Sequence, residues 1–94
     1  MKSGIELIAV EREEQLSKHQ CTVQGDVKFN DKGQLIYAAR TLCQLSVSNA
    51  KNICPTGWDA YIWIRLLNKP YKERLIIAGA LIAAELDRLN AIGE

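Results

Sequence analysis

Residues 75–84 read Leu75-Ile76-Ile77-Ala78-Gly79-Ala80-Leu81-Ile82-Ala83-Ala84, a run without a polar side chain. It is about half the length that a bilayer span requires, so it reads as a buried helix of a soluble domain. Pro70 suits the first turn of that helix, which should reach about Ala91, with Gly93 near its end. Its first half is apolar on every side, which makes it either the central helix of the domain or one shared with another subunit. Ala78, Gly79, Ala80, Ala83 and Ala84 leave room for a second helix to approach closely.

Working outward, Ser3 and Glu6 have the spacing of a capping box and open a helix over about 4–18. Ile5, Ile8, Ala9 and Leu16 form its apolar face, and Glu11, Arg12, Glu13, Glu14 and Lys18 its wet side. Residues 19–31 break the helical pattern. Gly25-Asp26 and Asn30-Asp31 are turn signals, and Thr22-Val23 with Val27-Lys28-Phe29 fit either a short hairpin or a loop. Asp31, with Gln34 in the capping-box position, is the expected start of a second helix, whose stripe is Leu35, Ala38, Ala39, Leu42 and Leu45. It should fade near 46–48, where serines compete for the backbone. Residues 47–57 read as a connection. Over 58–67 a short helix is expected, with a strand as the alternative; Thr56 and Asp59 offer a cap, and Trp58, Tyr61, Ile62 and Leu66 share a face that leaves Trp63 and Ile64 elsewhere. The fold class is therefore all-α: one domain over 1–94, with three main helices and one short one.

A chain of 94 residues buries only about 60–65% of its unfolded surface, so self-association is expected to add to a modest core. Twelve basic residues against eleven acidic ones give a net charge of +1, which excludes a general nucleic-acid binder with its large basic excess. Cys21, Cys43 and Cys54 lack CxxC spacing, and the single histidine, His19, completes no familiar zinc pattern with them. No metal site is expected. Three reduced thiols, with no signal-peptide or lipidation pattern at the N-terminus, point to the cytoplasm and away from the membrane.

Chemistry has few places to reside. Glu11 and Glu14 stand three apart, the spacing with which all-helical nucleotide hydrolases grip Mg²⁺. The matching pair is missing, since Glu85 is followed at that spacing by Arg88. There is no recognisable nucleophile turn and no phosphate loop. Residues 58–74 carry more. They hold Trp58, Tyr61, Trp63 and Tyr71, four of the six aromatics, interleaved with Arg65, Lys69, Lys72 and Arg74. Aromatic faces stack bases and cations hold phosphates, so Trp58, Tyr61, Arg65, Lys69, Tyr71, Lys72 and Arg74 are candidate ligand-binding residues. The plain alternative puts the tryptophans in the core and the cations at a solvated helix start. There Lys69, Lys72 and Arg74 oppose the helix dipole unless an anion or Glu73 compensates.

The order of motifs resembles a family of small phage and prophage proteins. Its members open with an ELIAxER helix, continue through a W-T-x-E-H-D-D loop and a GELxxAA helix, and close with KAGALIxAEIDRL. The opening here is Glu6-Leu7-Ile8-Ala9-Val10-Glu11-Arg12, the middle Gly33-Gln34-Leu35-Ile36-Tyr37-Ala38-Ala39, and the close Ile77-Ala78-Gly79-Ala80-Leu81-Ile82-Ala83-Ala84-Glu85-Leu86-Asp87-Arg88-Leu89. That family is in turn distantly similar to the all-helical MazG-like nucleoside triphosphate pyrophosphohydrolases, a resemblance that implies Mg²⁺ and cleavage between the α and β phosphates. The chain departs from the pattern where the chemistry sits. Cys21-Thr22-Val23-Gln24-Gly25-Asp26-Val27 stands for the acidic loop, Gln34 for a glutamate, and only Asp26 and Glu85 remain of the acidic cluster.

The expectation that follows is a non-enzymatic phage accessory protein without a cofactor, binding and sequestering a small phosphorylated ligand of nucleotide type to counter host defence. Two alternatives stand beside it. One is a divergent pyrophosphohydrolase using Glu11, Glu14, Asp26 and Glu85 with Mg²⁺. The other is a module that binds a host protein through its apolar helices.

Overall fold

The computed structural model describes residues 1–18, 21–47 and 54–94, and over these the chain is all-helical: α1 (Gly4–Ser17), α2 (Val23–Phe29), α3 (Gln34–Leu42), α4 (Ala60–Leu67) and α5 (Tyr71–Ala91). His19 and most of the connection expected over 47–57 lie outside the described residues.

α5 is the packing surface for the rest, with α1, α2 and α3 all lying against it. Its inner face carries Arg74, Ile77, Ala78, Leu81 and Ala84, spaced three and four apart. Against these α3 sets Leu35, Ala38, Ala39 and Leu42, as its stripe predicts. The alanines bring the two backbones together, and the larger side chains close the gaps at either end. α4 completes the core with Trp63, only 1% exposed, whose ring stacks on Tyr37 at 6.2 Å and meets Trp58 edge-on at 6.0 Å.

Four expectations need correction. The first is the hairpin or loop at 22–29, which is α2. The Thr22 hydroxyl accepts from the Gly25 amide at 2.9 Å and caps the helix. Val23 and Val27, read as alternation, and Asp26, read as part of a turn, also stand three and four apart, and the helical spacing wins. Second, α3 starts two residues later than expected. Gly33 is its N-cap at φ 79°, a left-handed conformation that suits glycine. Gln34 is not part of a capping box: buried, it accepts from the Lys32 amide at 2.7 Å and donates to the Phe29 and Thr56 carbonyls at 3.1 and 3.3 Å. The helix also ends before Leu45, which is exposed.

Third, α4 is capped by Asp59, whose carboxylate accepts from the Tyr61 and Ile62 amides, rather than by Thr56. It turns Trp63, Leu66 and Leu67 inward and leaves Tyr61, Ile62 and Ile64 exposed: Trp58 and Leu66 pack on the core as expected, but Trp63 takes the place expected of Tyr61 and Ile62. Burying the indole of Trp63 removes more apolar surface than burying Tyr61 would, and it spares a hydroxyl the search for a partner.

Fourth, α1 forms over the expected span, with the Ser3–Glu6 capping box made in both directions, yet it packs through a different face. Arg12 and Gln15 are buried, whereas Ile5 is 83% exposed and Leu16 is exposed as well. The reason lies on α5. The Ile8 side chain fills the notch over Gly79, where an added Cβ would stand 2.5 Å from its Cδ1 and 2.8 Å from its Cγ1. That contact rotates α1 until Arg12 reaches Asp87 at 2.9 Å. Gly79→Val should therefore destabilise the fold by about 1–3 kcal/mol through overpacking. Ile8→Ala in the same chain should recover part of that loss, and urea melts of the two variants provide the check.

Candidate functional site

A cleft of about 680 Å³ opens between α4 and the α1–α2–α5 face. Its apolar floor is formed by Leu35, Leu66, Ile77 and Leu81. Of the aromatic and basic residues singled out above, Trp58, Arg65 and Lys69 line it. Arg65 and Lys69 stand one turn apart at the C-terminal end of α4 and just beyond it, where cations are favoured by the helix dipole. Lys69 lies 3.9 Å from Glu73, a loose pair that leaves its ammonium available to an anion.

The remaining four candidates are elsewhere. Tyr61 is 82% exposed on the outer side of α4, and Lys72 is exposed as well; neither is in the cleft lining. The Tyr71 ring lies under the Arg74 guanidinium at 5.4 Å. Arg74 is only 4% exposed and structural: it donates to the carbonyls of Lys69 at 3.0 Å, Leu42 at 2.9 Å, Gln44 at 2.6 Å and Leu45 at 3.2 Å. At the start of α5 its charge opposes the dipole, but at the C-terminal end of α3 it complements one. The cation that looked free for a ligand is therefore a clamp between helices.

The alternative acidic set is also divided. Glu11, Glu14 and Asp26 line the same cleft as Trp58. Glu85 does not, since both its oxygens are held by Arg88 at 2.6 and 3.0 Å. Among the described residues, no three of His, Cys, Asp and Glu stand close enough to hold a metal ion together. Of the four carboxylates that the resemblance implies, Glu85 thus stands apart from the other three.

One arrangement in the cleft lining was not legible in the sequence. The Trp58 indole Nε1 donates to Asn30 Oδ1 at 2.7 Å, and Asn30 Nδ2 donates to Asp26 Oδ1 at 2.7 Å. Asp26 is 5% exposed and its second oxygen, Oδ2, has no partner among the described residues; Arg12, 8% exposed in the same lining, has an Nε likewise without one there. Burial pushes the Asp26 carboxyl above the usual carboxylate range, against the Asn30 hydrogen bond and the charge of Arg12, which lower it. The sign follows from linkage: ionised Asp26 lowers stability above its folded titration point, and the penalty is relieved as pH falls through that point toward the unfolded value. Asp26 and Asn30 are four apart, a signal that becomes visible only once 23–29 is read as helix.

Comparison of the chain with protein-family models, with curated proteins and with solved structures gave no match.

Proposed function

We propose that this chain is a non-enzymatic binding protein that takes a small phosphorylated ligand of nucleotide type in the α1–α2–α4–α5 cleft. The observation that carries this reading is the convergence of Trp58, Arg65 and Lys69 on one apolar-floored cleft. A planar ring finds hydrophobic contact and the edge of an indole there, and a phosphate finds two cations at the mouth. Glu11 and Glu14 share the lining, so a ligand with one or two phosphate charges suits it better than a triphosphate, whose added charge the acidic side repels. The resemblance to small phage and prophage proteins supplies the biological setting of the proposal: an accessory protein of the host cytoplasm that sequesters such a ligand to counter host defence. Exposed Ile5, Leu16, Ile82 and Leu86 on α1 and α5 support self-association in addition.

The test is a panel of linear and cyclic nucleotides, with and without Mg²⁺, in which free, bound and converted species are separated by chromatography. Binding without conversion is expected. Arg65→Ala and Lys69→Ala, both at exposed positions, should each weaken affinity by about tenfold, or about 1.4 kcal/mol, as for a screened charge-assisted contact, while thermal unfolding stays unchanged. Unaltered affinity in both variants would remove the cations from the site.

A pyrophosphohydrolase is the second reading, on the observation that Glu11, Glu14 and Asp26 share this cleft. Release of a monophosphate by the wild-type chain, lost in Glu14→Gln, would favour it over sequestration.

A further inference from the structure

On each of the two long helices the cleft takes one side and leaves an apolar stripe on another. The cleft lining draws Glu11, Glu14 and Gln15 from α1 and Ile76, Ile77 and Leu81 from α5. Ile5, Ala9 and Leu16 of α1 and Leu75, Ile82 and Leu86 of α5 stand outside it, all of them exposed, the five large side chains by between 38% and 83%. On α5 these residues and Gly79 follow one another at spacings of four, three and four, the seam of a helix that packs along another helix. Ile8 fills the notch at Gly79, between Leu75 and Ile82, and so joins the two stripes into one continuous face. A pair of helices about 20 Å across and about 30 Å long offers on the order of 600 Å², near the roughly 800 Å² that each partner gives to a standard interface. Aliphatic surface gathered on this scale marks an interaction site.

Charge decides the occupant and its direction. Ile8 meets Gly79 and Arg12 meets Asp87, so α1 and α5 run the same way. Lys2 and Lys72 therefore stand at one end of the face, and Glu13 and Glu94 at the other. The other charged side chains of the two helices line the cleft or are engaged within the protomer. We infer that this face binds a second copy of the chain, turned end for end about a two-fold axis near Ile82. Reversal sets the basic end of each copy against the acidic end of the other, whereas a copy laid parallel sets like charge on like. It also opposes the dipoles of the two α5 helices. At the axis Ile82 meets its own counterpart, and Leu75 is carried toward the far end of the second α5. The contact is the same patch on both copies, so it closes at two. It leaves both clefts open and stands independently of what they bind.

Sedimentation equilibrium of the wild-type chain over a range of concentrations should give twice its mass of 10.5 kDa. Ile82→Glu and Leu86→Glu change exposed positions, so helicity by circular dichroism should stay unchanged. Each substitution enters a two-fold interface twice, and each should raise the dimer dissociation constant by about a hundredfold or more. Ile64→Glu, on the exposed face of α4, should leave the dimer intact. Direction is read by oxidation with diamide. Ile82→Cys should cross-link to its counterpart faster than the native thiols of the wild type, and Leu75→Cys should show no such gain. A wild type that stays monomeric, or a dimer broken by Ile64→Glu and not by Ile82→Glu, overturns the inference. Rapid cross-linking through Leu75→Cys overturns the antiparallel arrangement.

Discussion

Arg74→Ala is expected to be one of the two most damaging single substitutions in this chain, lowering stability by about 3–4 kcal/mol. Its guanidinium donates to four carbonyls, and three of them, Leu42, Gln44 and Leu45, belong to the end of α3 and the residues beyond it. Helix C-termini leave carbonyls that need outside donors, and here one side chain supplies several. Each buried carbonyl stripped of its donor costs roughly 1–3 kcal/mol; that of Leu42 is the deepest, and relaxation toward water softens the others. Domains of this size have about 5–15 kcal/mol in total, so chemical denaturation should show a large fall in midpoint at nearly constant slope. Arg74→Lys keeps the charge but not the fork of donors, and should fall between wild type and Arg74→Ala. A loss under about 1 kcal/mol in Arg74→Ala would mean that the clamp is ornamental.

Trp63→Ala is the other, at about 3–5 kcal/mol for a fully buried large side chain. Trp63 is the anchor of α4: its ring lies between Tyr37 of α3 and the edge of Trp58, which itself borders the cleft. The substitution should therefore act twice, destabilising the fold and loosening one wall of the cleft. Circular dichroism melts measure the first effect, and nucleotide affinity at a temperature where the variant is still folded measures the second. Trp63→Phe, which retains most of the buried area, should lose less than half as much stability and keep affinity near wild type.

The fold was legible where apolar spacing and capping chemistry agree. Ser3 with Glu6, the stripe of α3 and the apolar run of α5 all name their own elements. It was illegible where tertiary contacts overrule the pattern. Nothing local in α1 says that Arg12 is buried and Ile5 exposed; the Ile8–Gly79 contact and Asp87, far along the chain, decide it. In α4 two aromatics compete for the core, and spacing alone chose the wrong one. The candidate site divides along the same line. Residue type was enough to mark Trp58, Arg65 and Lys69 for the cleft, but composition cannot distinguish a cation free for a ligand from one bound to carbonyls, as Arg74 is. Asn30 and Arg12 went unmarked because each acts through a partner remote in sequence, Trp58 for one and Asp87 for the other.

The place of α5 has a consequence for the order of events during synthesis. α1, α2 and α3 each lie against this last helix. The ribosome releases them first, so they emerge before the surface that each one covers exists. Short isolated helices are marginal in water, and the growing chain therefore has no stable half-way structure in which to wait. Its three earlier helices are therefore expected to gain lasting order only once the residues around Leu81 are there to be covered.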